Sequence, residues 1–305
     1  MNRIIFIAPK SISDHKRTNS PFRLDYAYWN FYIPLLELGH QVIFFDSSKY
    51  GNDALRDLIS KFNPNILFCV MTGNAYFTPD EPWQVVEEET KKGNILTFNW
   101  FCDDSWRFDN FSRHACFKFN YCSTPELKFV ENYKQIGYNN ILYATWHANP
   151  NLYSIEKPKT HKVSFIGRIN SSRSEYLSYV KSLGIDVYNP SDLAFEDMIS
   201  CYNSSLTALN FSKDSGSGGT QMKARMFEVP ACGAALISEY TEDLENNFKI
   251  GEEIVCFKNE EELSDCFKKL SDPSYLKTVT INGYNRFMSD HTSHARLSNL
   301  LNKIK

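Results

Sequence analysis

Val42-Ile43-Phe44-Phe45, then Leu55, Leu58, Ile59 and Phe62, then Pro64 and Ile66-Leu67-Phe68-Cys69-Val70, form the stretch that sets the fold. An apolar run without polar interruption, four to five residues long, is a strand buried on both faces. The spacing i, i+3, i+4, i+7 that follows is one buried face of a helix, and proline stops it. Strand, helix and strand in about 30 residues predict a βαβ unit in a parallel sheet.

The same alternation extends in both directions. Upstream, Ile4 to Ala8 reads as a first strand, and a helical stretch with Tyr26, Trp29, Ile33 and Leu36 ends at Gly39, a helix C-cap residue. Downstream, Ile95 to Phe98 reads as a strand. Ser123-Thr124-Pro125-Glu126 reads as a hydroxyl cap and first turn of a helix running to Ile136 and Gly137, and Ile141 to Thr145 as the next strand. The pattern stops at Asn149-Pro150-Asn151, and the polar stretch to Lys157-Pro158-Lys159-Thr160 has the composition of a linker. It then restarts with strands at 163–166, 185–188, 206–211, 234–237 and 253–257, a helix over Tyr176 to Leu183, and three helices towards the C-terminus. The expectation is an α/β protein of two Rossmann-like domains, 1–150 and 151–285, with a C-terminal helix over 286–305.

Composition narrows the classes. A length of 305 residues suits two domains, and 42% hydrophobic with 23% charged residues describes a chain with a substantial core. A formal charge of −3 gives no general attraction to nucleic acid or anionic membrane. Eight cysteines without a CxxC pair, mostly inside apolar runs, predict buried free thiols rather than disulfides or a metal site. No apolar run approaches the roughly 18 residues of a membrane span, and no signal peptide is evident, so the expected location is cytoplasmic.

Ligands of open parallel sheets sit beyond the C-terminal strand ends, where helix N-termini present free N–H groups. Two segments of the second half fit an anion there. Ser164-Phe165-Ile166-Gly167-Arg168-Ile169-Asn170-Ser171-Ser172-Arg173 carries two arginines, whose planar forks suit phosphate, though two solvated surface arginines would read the same. Ser212 to Thr220, rich in glycine at Gly216, Gly218 and Gly219, leads into a helix with Lys223, Arg225 and Glu228, and Thr220 is placed to cap that helix. It is neither a Walker A loop nor the dinucleotide fingerprint of a first strand, which argues against a nicotinamide-dependent oxidoreductase. In the first half, Asn99-Trp100-Phe101-Cys102-Asp103-Asp104-Ser105-Trp106-Arg107-Phe108 follows a predicted strand. Asp103 or Asp104 could take a proton from a hydroxyl, or could be turn residues; the aromatics could stack on sugar or fill the core. His15, Lys16, Arg17, Arg23 and Asp25 form a charge cluster after the first strand.

Lys223-Ala224-Arg225-Met226-Phe227-Glu228-Val229-Pro230-Ala231-Cys232-Gly233-Ala234-Ala235-Leu236-Ile237-Ser238-Glu239 resembles the signature of the CgeB-like branch of GT-B glycosyltransferases. Phe248, Gly251 to Phe257, Glu261-Glu262-Leu263 and His291-Thr292-Ser293-His294-Ala295-Arg296-Leu297 continue in that style, and Phe165-Ile166-Gly167-Arg168 resembles the opening of the donor domain. The resemblance implies two parallel sheets facing across a cleft, with the C-terminal helix returning to the first domain. It further implies transfer of a sugar from a nucleotide-diphosphate sugar, such as a UDP-sugar, to a hydroxyl acceptor (glycan, protein, small molecule or modified nucleic acid), with no metal or other cofactor. Donor-binding residues would be Gly167, Arg168, Arg173, Gly218, Gly219, Thr220, Lys223, Arg225 and Glu228, the last accepting from ribose hydroxyls. Asp103, Asp104 and His147 would be the catalytic candidates. One departure stands out. Retaining relatives often carry two glutamates with seven residues between them, and counting back from Glu228 the first position holds Thr220. A non-catalytic nucleotide- or sugar-binding protein is the alternative this favours.

Overall fold

The computed structural model describes residues 1–12, 23–74, 78–153, 155, 157–190, 193–214 and 218–304. The chain forms two compact units, Met1–Thr145 with Ser293–Lys305, and Trp146–Thr292. It passes between them at residues 145–146 and 292–293, where the sequence suggested boundaries at 150 and 285.

The first unit holds β1 (Arg3–Ala8), β2 (Gln41–Asp46), β3 (Ile66–Cys69), β4 (Leu96–Trp100), β5 (Tyr121–Thr124) and β6 (Ile141–Tyr143), all parallel, in the order β2-β1-β3-β4-β5-β6. Central β1 is buried from Ile4 to Ala8, which is why its run has no polar alternation. Ile5 and Ile7 point to one face, against Leu55 of the helix Asn52–Phe62, Val85 and Val86 of the helix Trp83–Lys92 and Tyr133 of the later helix Leu127–Gln135. Phe6 points to the other and begins an aromatic layer with Phe31, Phe44 and Phe68, continued by Phe31 on Trp100 and Phe68 on Phe98. The high aromatic content of the chain is therefore largely core.

β5 is a departure from expectation. Ser123 and Thr124 belong to a strand, and the helix begins only at Leu127, with Glu126 at its N-cap and no side-chain cap bond. The last helix, Ser293–Lys303, belongs to the first unit, where the His294 ring nitrogen Nε2 lies 3.0 Å from Glu37 and Leu297 and Leu300 are buried.

The second unit repeats the plan: β7 (His161–Ser164), β8 (Val187–Tyr188), β9 (Ser205–Asn210), β10 (Ala235–Glu239) and β11 (Val255–Phe257), parallel, in the order β8-β7-β9-β10-β11. Phe165, Leu209, Phe211, Ile237 and Phe257 pack on one face with the helices Glu260–Leu270 and Pro273–Arg286; Ala208 and Leu236 pack on the other with Tyr202, Met226 and Phe227. From β7 the chain turns to β8 on one side, while β9 lies on the other. That reversal opens a crevice at the C-terminal ends of β7 and β9.

The polar stretch read as a linker is part of this unit. Trp146 Nε1 donates to the Met222 carbonyl at 3.0 Å, Asn149 and Tyr153 are buried, and the Lys159 ammonium donates to the carbonyls of Asn203 at 2.8 Å and Gly233 at 2.7 Å. Its polar groups are consumed internally, which composition alone does not reveal. All eight cysteines are free thiols, and among the described residues no helix is long and apolar enough to cross a membrane.

Candidate functional site

The crevice at the reversal between β7 and β9 holds a cavity of about 760 Å³, large enough for a nucleotide-sized ligand. Its lining includes Arg168, Arg173, Lys213 and Arg225, with Asp214 as the one carboxylate among the described residues. Each cation arrives by a local rule. β7 ends, Gly167 turns, and Arg168 follows; Asn170 then caps the helix Ser171–Ser182, its Oδ1 accepting from the Arg173 amide at 3.0 Å, which fixes Arg173 in the first turn. Lys213 follows the end of β9, its own amide held by Glu239 Oε2 at 3.1 Å. Arg225 opens the short helix Arg225–Ala231 and donates to Asn210 Oδ1 at 3.3 Å.

Arg173 is the most telling of these groups. It is 8% exposed, its Nη1 donates to the Arg168 carbonyl at 2.7 Å, and its Nε has no partner. Burial, with the neighbouring positive charge of Arg225, lowers its pKa from the usual guanidinium value. Both guanidinium groups lie over the ring of Phe165, Arg225 at 5.6 Å and Arg173 at 6.0 Å from its centre. The buried carboxylate of Glu239 offsets part of this positive charge, and an anion in the cavity would offset more.

Gly167 makes room for this arrangement. A Cβ there would lie 2.9 Å from Arg225 Nη2 and 3.1 Å from the Phe165 ring. Gly167→Ala is therefore expected to displace Arg225, press on the buried Phe165 ring and weaken anion binding roughly tenfold, with a modest loss of fold stability. Titration of inorganic pyrophosphate against both proteins checks this; equal affinities would reject the role given to Gly167.

Arg168, Arg173, Gly218 and Arg225 come together on the lining, with Gly167 behind them. Gly219, Thr220, Lys223 and Glu228 do not line the cavity. Thr220 does not cap the helix, which starts five residues later at Arg225; its hydroxyl pairs with that of Thr241 at 3.2 Å. The Lys223 ammonium donates to the Lys213 carbonyl at 2.7 Å. Gly219 offers its carbonyl to the Asp214 amide at 2.8 Å. Gly216 lies outside the described residues.

Glu228 is buried one layer deeper, where Tyr153 OH donates to its Oε1 at 3.0 Å. Burial raises its pKa, opposed by the Arg225 charge and the Tyr153 bond. A carboxyl held more basic in the folded state favours folding while protonated, and that contribution is lost as pH rises through the folded pKa. Glu228→Gln cannot ionise, so its melting temperature is expected to gain on the parent as pH goes from about 4 to 8. Parallel melting curves across that range would decide, and a constant difference would count against an ionising buried Glu228.

In the first unit, Asp104 is buried and receives hydroxyl bonds from Ser112 and, at 3.0 Å, from Tyr133; burial pushes its pKa to about 6. Those bonds make it a core group rather than a base open to an acceptor. Asp103 is partly exposed, begins the turn Asp104–Arg107 and accepts from the Cys102 thiol at 3.3 Å. Trp100, Phe101 and Phe108 are buried, while Trp106 is exposed. His147 is buried in the second unit. Asp25, partly exposed, accepts from the Ala27 amide at 2.8 Å and is pushed to about 6 by desolvation; His15, Lys16 and Arg17 lie outside the described residues. Sequence reading did not count Lys213 or Tyr153 among the site residues. Lys213 stood in the quoted loop, but nothing near Tyr153 signals its bond to a residue 75 positions away.

Residues 153–302 match the family described as glycosyl transferase-like. The matched domain spans just under half of the chain. The match is to the family and not to its CgeB-like branch by name. Among curated protein sequences no match is found. Similar solved structures include sucrose-phosphate synthase from Thermosynechococcus elongatus, at 9% identity and a TM-score of 0.65 over 99% of each chain. A glycosyltransferase from Rickettsia africae is similar at 11% identity and a TM-score of 0.62, over 99% of this chain and 97% of its own. HepE of Anabaena, in complex with UDP-glucose, is similar at 9% identity and a TM-score of 0.63, over 99% of this chain and all of its own. At these identities the likeness is one of fold, and the fold is GT-B. By domain and fold, the chain is a glycosyltransferase of the GT-B type.

Proposed function

We propose that this glycosyltransferase takes its sugar from a nucleoside-diphosphate sugar of the UDP-sugar class and passes it to a hydroxyl acceptor in the cytoplasm without an essential metal. The observation that carries the reading is the cluster of Arg168, Arg173, Lys213 and Arg225 around one cavity, with Asp214 as its sole carboxylate among the described residues. In the transfer, the bond from the anomeric carbon to the diphosphate oxygen breaks and a bond to the acceptor oxygen forms. The leaving diphosphate gains charge in that step, and preplaced guanidinium groups stabilise it. The family resemblance gives the ribose hydroxyls to Glu228, which lies buried behind the lining with Tyr153 holding one of its oxygens. Asp103 receives the acceptor proton in this reading, because Asp104 is already committed to Ser112 and Tyr133. The UDP-glucose complex of HepE supports the donor class. Metal independence belongs to the same reading, in which the four cations lining the cavity meet the charge of the diphosphate.

The test is release of nucleoside diphosphate and transfer of label from a panel of nucleotide sugars, run with and without EDTA. Turnover with one donor, unchanged by EDTA and lowered by Glu228→Ala through a loss on the order of 1.5–3 kcal/mol in donor binding, is the expected outcome. Binding with neither hydrolysis nor transfer would instead support a non-catalytic binding protein. Thr220, standing where retaining relatives have a glutamate and bonded to Thr241, is the observation that favours this second reading.

A further inference from the structure

At the opposite end of the second unit's sheet, where β7 and β9 begin, lies a second cavity of about 720 Å³. Its character is the reverse of the donor crevice. Val163, Leu206, Phe267, Leu270, Leu276 and Ile281 supply most of its wall, and among the described residues no Asp or Glu lines it. Leu206 and Ile281 are 37% and 46% exposed, so apolar surface stands open to solvent where a closed core would have buried it. The charged residues on the lining are Lys159, Lys162 and Lys277. Lys159 spends its ammonium on backbone carbonyls, but Lys162 and Lys277 are exposed and make no ion pair among the described residues. An exclusively cationic rim over an apolar floor is notable on a chain whose formal charge is −3.

We propose that this groove binds a single-chain anionic amphiphile, with a long hydrocarbon chain along the apolar floor and a carboxylate or similar head between Lys162 and Lys277. The charge pattern selects an anionic head, and the floor selects an apolar body. Size disfavours a docked helix from a partner: one turn with its side chains fills on the order of 400 Å³, so the cavity holds less than two turns. A concave site of this volume also suits an inserted chain better than the flat face of a bilayer. The site shares no lining residue with the donor cavity, so the proposal stands independently of the transferase reading.

The experiment titrates oleate, below its micellar concentration, against the intact protein, following displacement of a fluorescent fatty acid. The expected result is saturable one-to-one binding. It should weaken roughly tenfold in Lys162→Ala/Lys277→Ala and be lost in Leu206→Glu/Ile281→Glu, two partly exposed positions that tolerate charge. Methyl oleate should bind the parent and the double alanine variant equally. Melting temperatures near that of the parent and an unchanged response to UDP identify the variants as folded. Absence of saturable binding, equal oleate affinity in parent and Leu206→Glu/Ile281→Glu, or binding of anionic phospholipid vesicles without binding of oleate would each overturn the proposal.

Discussion

Arg173→Ala and Arg225→Ala are each expected to remove most of the thermal stabilisation that a nucleoside diphosphate gives the parent protein, without lowering the stability of the unliganded chain. The two guanidinium groups both lie over the Phe165 ring and repel one another, and Arg173 is buried with a lowered pKa. Removing either relieves that repulsion. The same removal deletes a charge-assisted bond to phosphate, a loss of about 1.5–3 kcal/mol, or roughly 10- to 150-fold in affinity. A ligand present at about 100 times its dissociation constant stabilises the parent by roughly 2.7 kcal/mol; if affinity falls 100-fold, about 0.4 kcal/mol remains. Because the arginines are neighbours, the double variant should fall short of the sum of the singles. Melting curves with and without ligand measure all three. Parent-like ligand shifts in both single variants would remove the donor site from this cavity.

Phe165→Ala should give the largest loss of fold stability, about 3–5 kcal/mol, the range for an emptied buried aromatic site. Its ring is fully buried, meets Phe211 edge-on at 4.9 Å and packs among Leu209 and Ile237. Both arginines also lie over this ring, so core and site fail together. Phe165→Leu separates the two effects: much of the buried volume remains while the aromatic face is gone. Its denaturation midpoint should fall far less, at constant slope, yet its response to nucleoside diphosphate should still drop. A Phe165→Leu protein with undiminished ligand response would show that the ring serves packing alone.

The fold was legible wherever burial is two-sided. Ile4 to Ala8 and Ile66 to Cys69 are apolar without a break because helices cover both faces of the sheet, and few arrangements besides a doubly covered strand produce so short and unbroken a run. β5 escaped because Ser123 and Thr124 are buried hydroxyl residues, and a hydroxyl followed by proline is also how a helix start is written. Arg168 and Arg173 could be picked out because a strand end and a helix start a few residues apart confine them to one crevice. Asp104 was misplaced for a complementary reason. Its surroundings come from Ser112 and from Tyr133, a residue 29 positions away, and no local pattern encodes that pairing. Tyr153 beside Glu228 is the same case at longer range.

The return of Ser293–Lys303 to the first unit has a consequence for biosynthesis. The segment that begins the chain emerges from the ribosome first, yet the helix that packs against its own Ile33–Glu37 turn is translated after the whole second unit. Leu297 and Leu300 are buried in the finished unit, so until that helix arrives the nascent domain exposes the apolar surface they will cover. The first unit therefore cannot be completed before the second has been made, and its core closes only with the eleven residues Ser293–Lys303.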